Sequence, residues 1–425
     1  MNEAMRIGPP DGGRRGCGPL VPPLTDTQRP ARLQAFEAIR AAGRIARAQL
    51  ARDLGISPAS ITALTAELIE AGLVEEVAAA RAEAARGRPP VALGVRAEAR
   101  LVAGIKLSDR EHTAVIADFA GDRRADATLP AQLGARAPDA LLAALETLLD
   151  EVCARAGLER EALAAVGLGL PGFVDGAAGR VLWSPLLDRR PVDLAAEAGA
   201  RLGLPVHVDN DANLVTLAEL WFGAGRALSD FAVVTIEHGV GMGLVINHRI
   251  WRGGGGLGLE LGHTKVQLDG ALCRCGQRGC LESYIADYAL VREATTALNW
   301  PHHAGQSQTV LLESLHDHAK AGNEAARTIF RRAGRYLALG LANVVNLFDP
   351  GLIILSGERM RYDYLYARET LAEMEALAVD AGRPAPAVQT HAWGDMLWAH
   401  GAAALALAAV TEAQLGAGPR HGGGA

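Results

Sequence analysis

The chain has 425 residues, of which 49% are hydrophobic and 21% are charged, and its formal net charge is −6. This length is too great for a single hydrophobic core, so the sequence predicts two or three globular domains. No apolar run is long enough to span a membrane, and no apolar segment follows Arg6, Arg14 and Arg15 as in a secretion signal. We therefore expect no membrane partner and a cytoplasmic location.

Charge and cysteine are unevenly distributed along the chain. Residues 1–100 contain 14 Arg and 11 acidic residues, whereas the remainder is acidic. Arginine suits phosphate because its planar guanidinium group donates two parallel hydrogen bonds. The five cysteines are an odd number, and three of them lie close together at positions 273, 275 and 280. This favours metal binding over a disulfide framework.

Hydrophobic periodicity divides the chain into four segments. Residues 1–24, rich in Gly, Pro and Arg, are predicted to be a disordered tail, and residues 416–425 a flexible tail. Residues 25–95 carry a helical pattern that ends in a β-like segment. Residues 96–415 alternate short β-like runs with helices, which predicts an α/β domain of two β-rich halves meeting near residue 230.

The helical segment has the spacing of a helix–turn–helix unit. Its first helix is predicted over Arg32–Ala42, with Leu33, Phe36, Ile39 and Arg40 on one stripe, and its second over Ala46–Leu54. Ser57 and Pro58 are typical of the cap and first residue of a third helix. Ile61, Leu64 and Leu68 are then expected to face the core. The small side chains left outside suit a helix that enters a DNA major groove: Ser57, Ser60, Thr62 and Ala63.

A β-wing is predicted to follow the third helix. Leu73 begins it, and Arg81, Arg86 and Arg88 fall on or near its tip, where they would reach phosphates or the minor groove of double-stranded DNA. The alternative is a small helical packing domain without a ligand. The added Gly-Arg-Pro-Pro segment favours the winged helix–turn–helix interpretation.

Three cysteines and one histidine form a pattern typical of a zinc site. Cys273, Cys275 and Cys280 lie within eight residues, and His263 precedes them by ten. Three thiolates and one imidazole complete a tetrahedral set, which leaves no open coordination position. The sequence therefore predicts a structural zinc ion, against the alternative of three reduced cysteines close together by chance.

These segments resemble the ROK family of repressors, open reading frames and kinases, from about residue 30 to residue 410. The run CRCGQRGCLE over Cys273–Glu282 resembles the family's zinc signature, and Glu260-Leu-Gly-His263 its E-x-G-H motif. Leu170–Asp175 and Val208–Asn213 are similar to two further family segments. The N-terminal module followed by Gly87-Arg88-Pro89 resembles that of the xylose and N-acetylglucosamine repressors. The resemblance implies a two-lobed, actin-like α/β fold that follows a winged helix–turn–helix domain, with sugar bound in the cleft.

The resemblance also implies the residues that bind the sugar: Asn210, Asp211, Glu260, His263 and Glu282. Carboxylate, amide and imidazole groups suit hydroxyls, which both donate and accept hydrogen bonds. His263 would bind zinc through one ring nitrogen and sugar through the other. The alternative for Asn210 and Asp211 is a simple turn.

The family also contains sugar kinases, so the resemblance implies a second possible function. In those kinases the residue that matches Asp211 is the base, and a D-x-G-G-T loop holds the phosphates. Here Lys106 replaces the acidic residue, and Ser108 and Asp109 replace both glycines. We therefore favour a regulator without catalytic activity over an ATP-dependent sugar kinase, in which Asp211 would be catalytic.

The expected partners are a double-stranded DNA operator and a sugar or sugar phosphate effector. A regulator that responds to a transport protein is a third alternative. Because helix–turn–helix proteins usually read two half-sites, we expect a homodimer or homotetramer.

Overall fold

A computed structural model describes residues 6–7, 16–20, 29–78, 91–132, 134–300, 307–357, 360, 368–380, 382, 384–392, 394 and 396–416. The chain forms two compact units. The first unit comprises residues 9–228 and 395–425, and the second comprises residues 1–8 and 229–394. The boundary after Leu228 agrees with the change predicted near residue 230.

The elements alternate as the sequence predicted for an α/β chain. The strands are β1 Arg6–Ile7, β2 Ile45–Ala46, β3 Val74–Ala78, β4 Val91–Val95, β5 Leu101–Lys106, β6 Glu111–Asp118, β7 Arg123–Pro130, β8 Leu163–Leu170, β9 Phe173–Asp175, β10 Arg180–Trp183, β11 Val206–Asn210, β12 Phe231–Ile236, β13 Val240–Ile246, β14 Arg249–Trp251, β15 Leu352–Ser356 and β16 Ala387–Ala392. The helices are α1 Ala31–Ala42, α2 Arg47–Leu54, α3 Pro58–Glu70, α4 Pro138–Ala156, α5 Leu194–Leu202, α6 Asp211–Phe222, α7 Glu282–Ile285, α8 Asp287–Ala297, α9 Gln308–Lys320, α10 Glu324–Phe348, α11 Arg368–Leu377 and α12 Met396–Leu415.

Helices α1, α2 and α3 with strands β2, β3 and β4 form the predicted winged module in the first unit. The strand order is β2-β4-β3, and both pairs are antiparallel. Ser57 caps α3, since its side chain accepts a hydrogen bond from the Ser60 amide at 3.1 Å. The core stripe of α3 is Ile61, Thr65 and Leu68, whereas Leu64 is only half-buried. Thr65 tolerates burial because Arg47 Nε donates to its hydroxyl at 3.1 Å.

The rest of the first unit is built on a five-stranded sheet with the order β11-β8-β5-β6-β7. The β5-β6-β7 strands are antiparallel neighbours, while β8 pairs in parallel with both β5 and β11. Helices α4 and α5 and the β9-β10 hairpin also belong to this unit. Helix α12 packs on the sheet, on α6 and on α1. Among the described residues α12 alone is long and apolar enough to cross a membrane, but it is a mostly buried core helix.

The second unit contains a six-stranded sheet with the order β1-β16-β15-β12-β13-β14. Strands β15 and β16 run parallel to their neighbours, and β12-β13-β14 form an antiparallel meander. Its core is a cluster of buried side chains from β12, β13, β15 and helices α7 to α11, centred on residues such as Phe330, Leu337 and Ile353. The loop between β14 and α7, which carries the cysteine cluster, belongs to this unit.

Residues 16–20 correct the prediction of a disordered tail over residues 1–24. The Cys17 amide donates to the Arg40 carbonyl at 3.1 Å, the Gly18 amide to the Trp221 carbonyl at 2.9 Å, and the Leu20 amide to the Arg226 carbonyl at 2.7 Å. Cys17 is buried. This short stretch is folded, since its amides pair with main-chain oxygens at the ends of α1 and α6 and after α6.

Candidate metal centre and effector-binding residues

The cysteine cluster lies on the loop between β14 and α7. The loop is closed by bridges between Lys265 and Cys280 and between Leu272 and Arg278. The ligand atoms of the four predicted metal residues all lie within 4.8 Å of one another: His263, Cys273, Cys275 and Cys280. The loop therefore brings together all four side chains that the sequence assigned to the site.

The distances within the cluster fit a tetrahedral metal ion. His263 Nδ1 lies 3.7 Å from Cys273 Sγ, and Cys275 Sγ lies 3.7 Å from Cys280 Sγ. Two sulfur ligands at 2.3 Å from a tetrahedral centre would be separated by about 3.8 Å. The donor set and its spacing thus fit a metal ion with four protein ligands.

Charges around the cluster affect its thiols in different ways. Burial, together with the nearby carboxylate of Glu282, raises the pKa of Cys273 to about 12. Lys265 Nζ lies 3.1 Å from Cys280 Sγ. The pKa of Cys275 is lowered, because the effect of burial is outweighed by hydrogen bonds to its sulfur and by the charge of Lys265. Metal binding at this site must therefore displace a proton that Cys273 holds firmly.

Glu282, which is predicted to bind sugar, also contacts the cysteine cluster. Its side chain is buried at the start of α7, where Oε2 accepts a hydrogen bond from the Val240 amide at 3.2 Å. Oε1 lies 3.6 Å from Cys273 Sγ and accepts from the Tyr288 hydroxyl at 3.4 Å. The sequence motif did not predict the contacts of Val240 and Tyr288, because both come from elements outside the motif.

A tight turn fixes Glu260 relative to His263. Residues Leu261–His263 form a 3-10 turn, and the His263 amide donates to the Glu260 carbonyl at 3.0 Å. Because Nδ1 of His263 faces Cys273, Nε2 lies on the opposite side of the ring. A metal ion bound to the cluster would hold the imidazole in this orientation.

Asn210 and Asp211 lie in the first unit, where β11 ends and α6 begins. Asn210 caps the helix by accepting the Asn213 amide at 2.8 Å. Asp209 supports this turn, accepting from the Asn213 side chain at 2.8 Å and from the Asn210 amide at 2.9 Å. Burial raises the pKa of Asp211, and the charge of Lys106 opposes this effect. Asn210 and Asp211 therefore form a helix cap and the first residue of the helix, and they present one amide and one carboxyl group.

The loop after β5 is a hairpin that uses its own polar groups. Ser108 Oγ accepts from the amides of Arg110 and Glu111 at 3.4 and 3.2 Å and donates to the Glu111 carbonyl at 2.6 Å. The Ser108 amide donates to His112 Nδ1 at 3.1 Å. Lys106 Nζ lies 3.5 Å from the ring centre of Trp398. The amides of Ser108, Arg110 and Glu111 are thus paired within the hairpin.

The four residues predicted to face DNA on α3 are all exposed: Ser57, Ser60, Thr62 and Ala63. The Thr62 hydroxyl donates to the Pro58 carbonyl at 2.8 Å, which leaves its oxygen able to accept. The wing strands β3 and β4 are present as predicted. Arg81, Arg86 and Arg88 lie outside the described residues.

Comparison with known proteins gives matches to both kinds of domain. The sequence profile described as the ROK family matches residues 103–409, and that described as winged helix-turn-helix DNA-binding matches residues 30–75. A putative xylose repressor of Caldicellulosiruptor sp. (strain Rt8B.4) is 28% identical over 334 residues, which cover 76% of this chain and 82% of the relative. A glucokinase of Streptomyces coelicolor is 34% identical over 229 residues, which cover 52% of this chain and 71% of the relative.

A crystal structure of a ROK family transcriptional regulator, a homologue of the Escherichia coli Mlc protein, superposes on this chain with a TM-score of 0.75. It is 27% identical in sequence, and the match covers 90% of this chain and 96% of the other. The matches confirm the predicted α/β fold with an N-terminal winged helix–turn–helix domain.

The hairpin after β5 generates a prediction for pH. His112 is buried, and burial lowers its pKa from 6.5 to about 4. The unfolded chain binds this proton near pH 6.5 and the folded chain only near pH 4, so stability falls as the pH decreases through this window. Between about pH 7 and pH 4.5 the wild type should lose roughly 2 kcal/mol more unfolding free energy than His112→Leu. Urea denaturation at several pH values measures this difference, and equal slopes for both proteins would contradict it.

Proposed function

Because the chain belongs to the ROK family, we propose that it is a sugar-responsive, DNA-binding transcriptional regulator that represses genes of carbohydrate metabolism. The observation that carries the proposal is the exposed face of small and polar side chains on α3, within a winged module that precedes the ROK domain. A helix with such a face enters a major groove without steric conflict. The protein acts in the cytoplasm, on operator DNA.

The proposed operator contacts divide into two groups. Ser57, Ser60, Thr62 and Ala63 on α3 contact bases or the adjacent phosphates, while Arg86 and Arg88 of the wing contact phosphates or the minor groove. The protein binds DNA as a homodimer or homotetramer, because two recognition helices are needed for two half-sites.

The proposed effector is a sugar or sugar phosphate. Asn210 and Asp211 offer an amide and a carboxyl group to its hydroxyls, and Glu260, His263 and Glu282 offer two carboxylates and an imidazole. The described contacts support this assignment, because Asn210, Asp211 and Glu282 are oriented by hydrogen bonds before any ligand binds. Such preorganisation lowers the entropic cost of binding.

We assign a structural zinc ion to His263, Cys273, Cys275 and Cys280. Sulfur and nitrogen donors at tetrahedral spacing favour zinc over the harder cations, which prefer oxygen. The bound ion would fix the His263 ring and the loop that leads to Glu282. Its role is to orient the effector-binding residues.

An ATP-dependent sugar kinase is the second candidate. The glucokinase relative favours it, as does Asp211, whose raised pKa suits a group that accepts a proton. Against it stands the hairpin after β5, where Lys106, Ser108 and Asp109 replace the residues of the kinase loop. The amides of Ser108, Arg110 and Glu111 donate within the hairpin, so they are not directed at a phosphate.

The central experiment measures operator binding by fluorescence anisotropy, with DNA fragments that the protein itself selects from genomic DNA. A panel of monosaccharides and hexose 6-phosphates is added to each titration. One panel member should weaken operator binding by the wild type. Ala63→Glu should weaken operator binding at least about tenfold without sugar, because a carboxylate would face the DNA.

Two further variants complete this test. Ala143→Glu places the same charge on an exposed position of α4 and should bind operator like the wild type. Glu260→Ala should retain operator binding and lose the response to sugar. Normal operator binding by Ala63→Glu would contradict the DNA-binding face, and a normal sugar response by Glu260→Ala would contradict the effector site.

Metal analysis tests the zinc assignment. Protein purified without chelators should contain about one zinc ion per chain. Cys275→Ser should lose this zinc, because an alcohol replaces a thiolate ligand, and should also lose the sugar response. Cys153→Ser, a buried cysteine outside the cluster, should retain both. Zinc-free wild-type protein with a normal sugar response would refute the assignment.

A coupled ATPase assay with the same sugar panel separates the two candidate functions. The hairpin after β5 predicts no sugar-dependent ATP hydrolysis above the background without sugar. The glucokinase relative from Streptomyces coelicolor serves as the positive control. Turnover that disappears in Asp211→Asn would establish the kinase in place of the regulator.

A further inference from the structure

Helix α6 connects the proposed effector residues to the DNA-binding module within the first unit. Asn210 caps its beginning, Asp211 is its first residue, and Trp221 and Phe222 end it. Its 12 residues span about 18 Å. Every residue from Ala212 to Trp221 is buried, so the helix has close neighbours along its whole length. A displacement at one end of such a helix moves the other end, because packed interiors have little free volume.

The far end of α6 contacts the DNA-binding module through Arg40. This residue lies in the last turn of α1 and is only 2% exposed. Its guanidinium carbon lies 4.4 Å from the Trp221 ring centre. Its Nη1 donates to Thr411 Oγ1 of α12 at 2.8 Å. Arg40 therefore contacts one residue of α6 and one residue of α12.

The folded segment at residues 16–20 joins the same two points through the main chain. The Cys17 amide donates to the Arg40 carbonyl, and the next amide, that of Gly18, donates to the Trp221 carbonyl. Arg226 Nη2 donates to the Ala41 carbonyl at 2.6 Å, and Arg226 Nε to the Gly18 carbonyl at 3.0 Å. The end of α1 and the end of α6 are thus held together by side chains and main chain at once.

Arg40 carries a guanidinium group in the interior, which is unusual for a residue that serves only packing. Its Nε has no hydrogen-bond partner among the described residues. A buried guanidinium with an unpaired donor costs more than an apolar side chain of the same length. In return, the ring face of Trp221 and the hydroxyl of Thr411 specify one orientation of α1, which an apolar side chain would not do.

Helix α1 in turn packs on α3, the proposed recognition helix. We propose that α6 transmits effector binding at Asn210 and Asp211 to α3, with Arg40 as the positioning residue that couples Trp221 to α1. This inference rests on the proposed function. An effector alters DNA affinity only if it binds two arrangements with different affinity, and the contact of Arg40 with Trp221 is the point at which the two arrangements differ.

The test uses Arg40→Met, which keeps length and removes the charge, and Trp221→Leu, which removes the ring. Operator Kd is measured with and without D-xylose, D-glucose, N-acetyl-D-glucosamine and the 6-phosphates of the two hexoses. The ratio of operator Kd with and without sugar, typically about 5-fold to 150-fold in allosteric proteins, should fall below about twofold in both variants. Sugar Kd without DNA should stay near the wild-type value.

Two measurements separate coupling from loss of stability. By linkage, operator DNA must change the sugar Kd of the wild type by the same factor, and this reciprocal effect should also disappear in the variants. Arg40→Met combined with Trp221→Leu should be no worse than either change alone, since both remove one contact. Arg40→Lys should retain part of the coupling, because a cation remains above the ring.

Leu149→Ala is the control for reduced stability, because it opens a cavity in the core beneath α4, away from α6. It should lower the Tm and leave the sugar response intact. If the wild type responds to sugar and Arg40→Met responds equally, this inference is wrong and the proposed function stands. If the wild type binds operator but responds to no sugar, the proposed function fails and this inference fails with it.

Discussion

Helix α12 approaches its neighbours so closely that main-chain atoms meet, and the first unit depends on this contact. A Cβ at Gly104 of β5 would lie 2.1 Å from the Ala399 carbonyl oxygen, and a Cβ at Gly401 would lie 1.9 Å from that of Leu214. Any side chain at either position would force the helix away from the sheet or from α6. The same helix presents Thr411 to Arg40. The close packing of α12 thus sets the positions of both α6 and α1.

The proposed effector residues share one principle of construction, although they lie in different units. The Asn210 side chain caps α6 by accepting a hydrogen bond from the Asn213 amide, and the Asp209 carboxylate accepts one from the Asn210 amide. Glu282 is held by the Val240 amide and by Tyr288. Each of these two side chains, Asn210 and Glu282, is therefore held by neighbouring groups of the protein. Side chains that are fixed in advance lose little conformational entropy when they bind a ligand.

Features fixed by neighbouring residues could be predicted from the sequence, and those fixed by distant residues could not. Ser57 could be predicted as a cap because its partner is three residues away, and the proximity of His263 to the three cysteines because all four lie within one loop. The environment of Glu282 could not, since Tyr288 and Val240 approach from other elements. Leu64 was assigned to the core by spacing alone, whereas Arg47 makes Thr65 the buried residue. The folding of Cys17 depends on Arg40 and Trp221, which are remote in sequence.

The discontinuity of the first unit has a consequence for synthesis on the ribosome. Residues 229–394, which make up most of the second unit, are translated before α12, which completes the first. Until then Arg40 has no Thr411 to bind, and the sheet strands around Gly104 have an uncovered apolar face. The winged module and residues 229–394 are therefore both synthesised before the core of the first unit can be completed. Chains interrupted before α12 would expose that face, which makes a chain prone to aggregation and proteolysis.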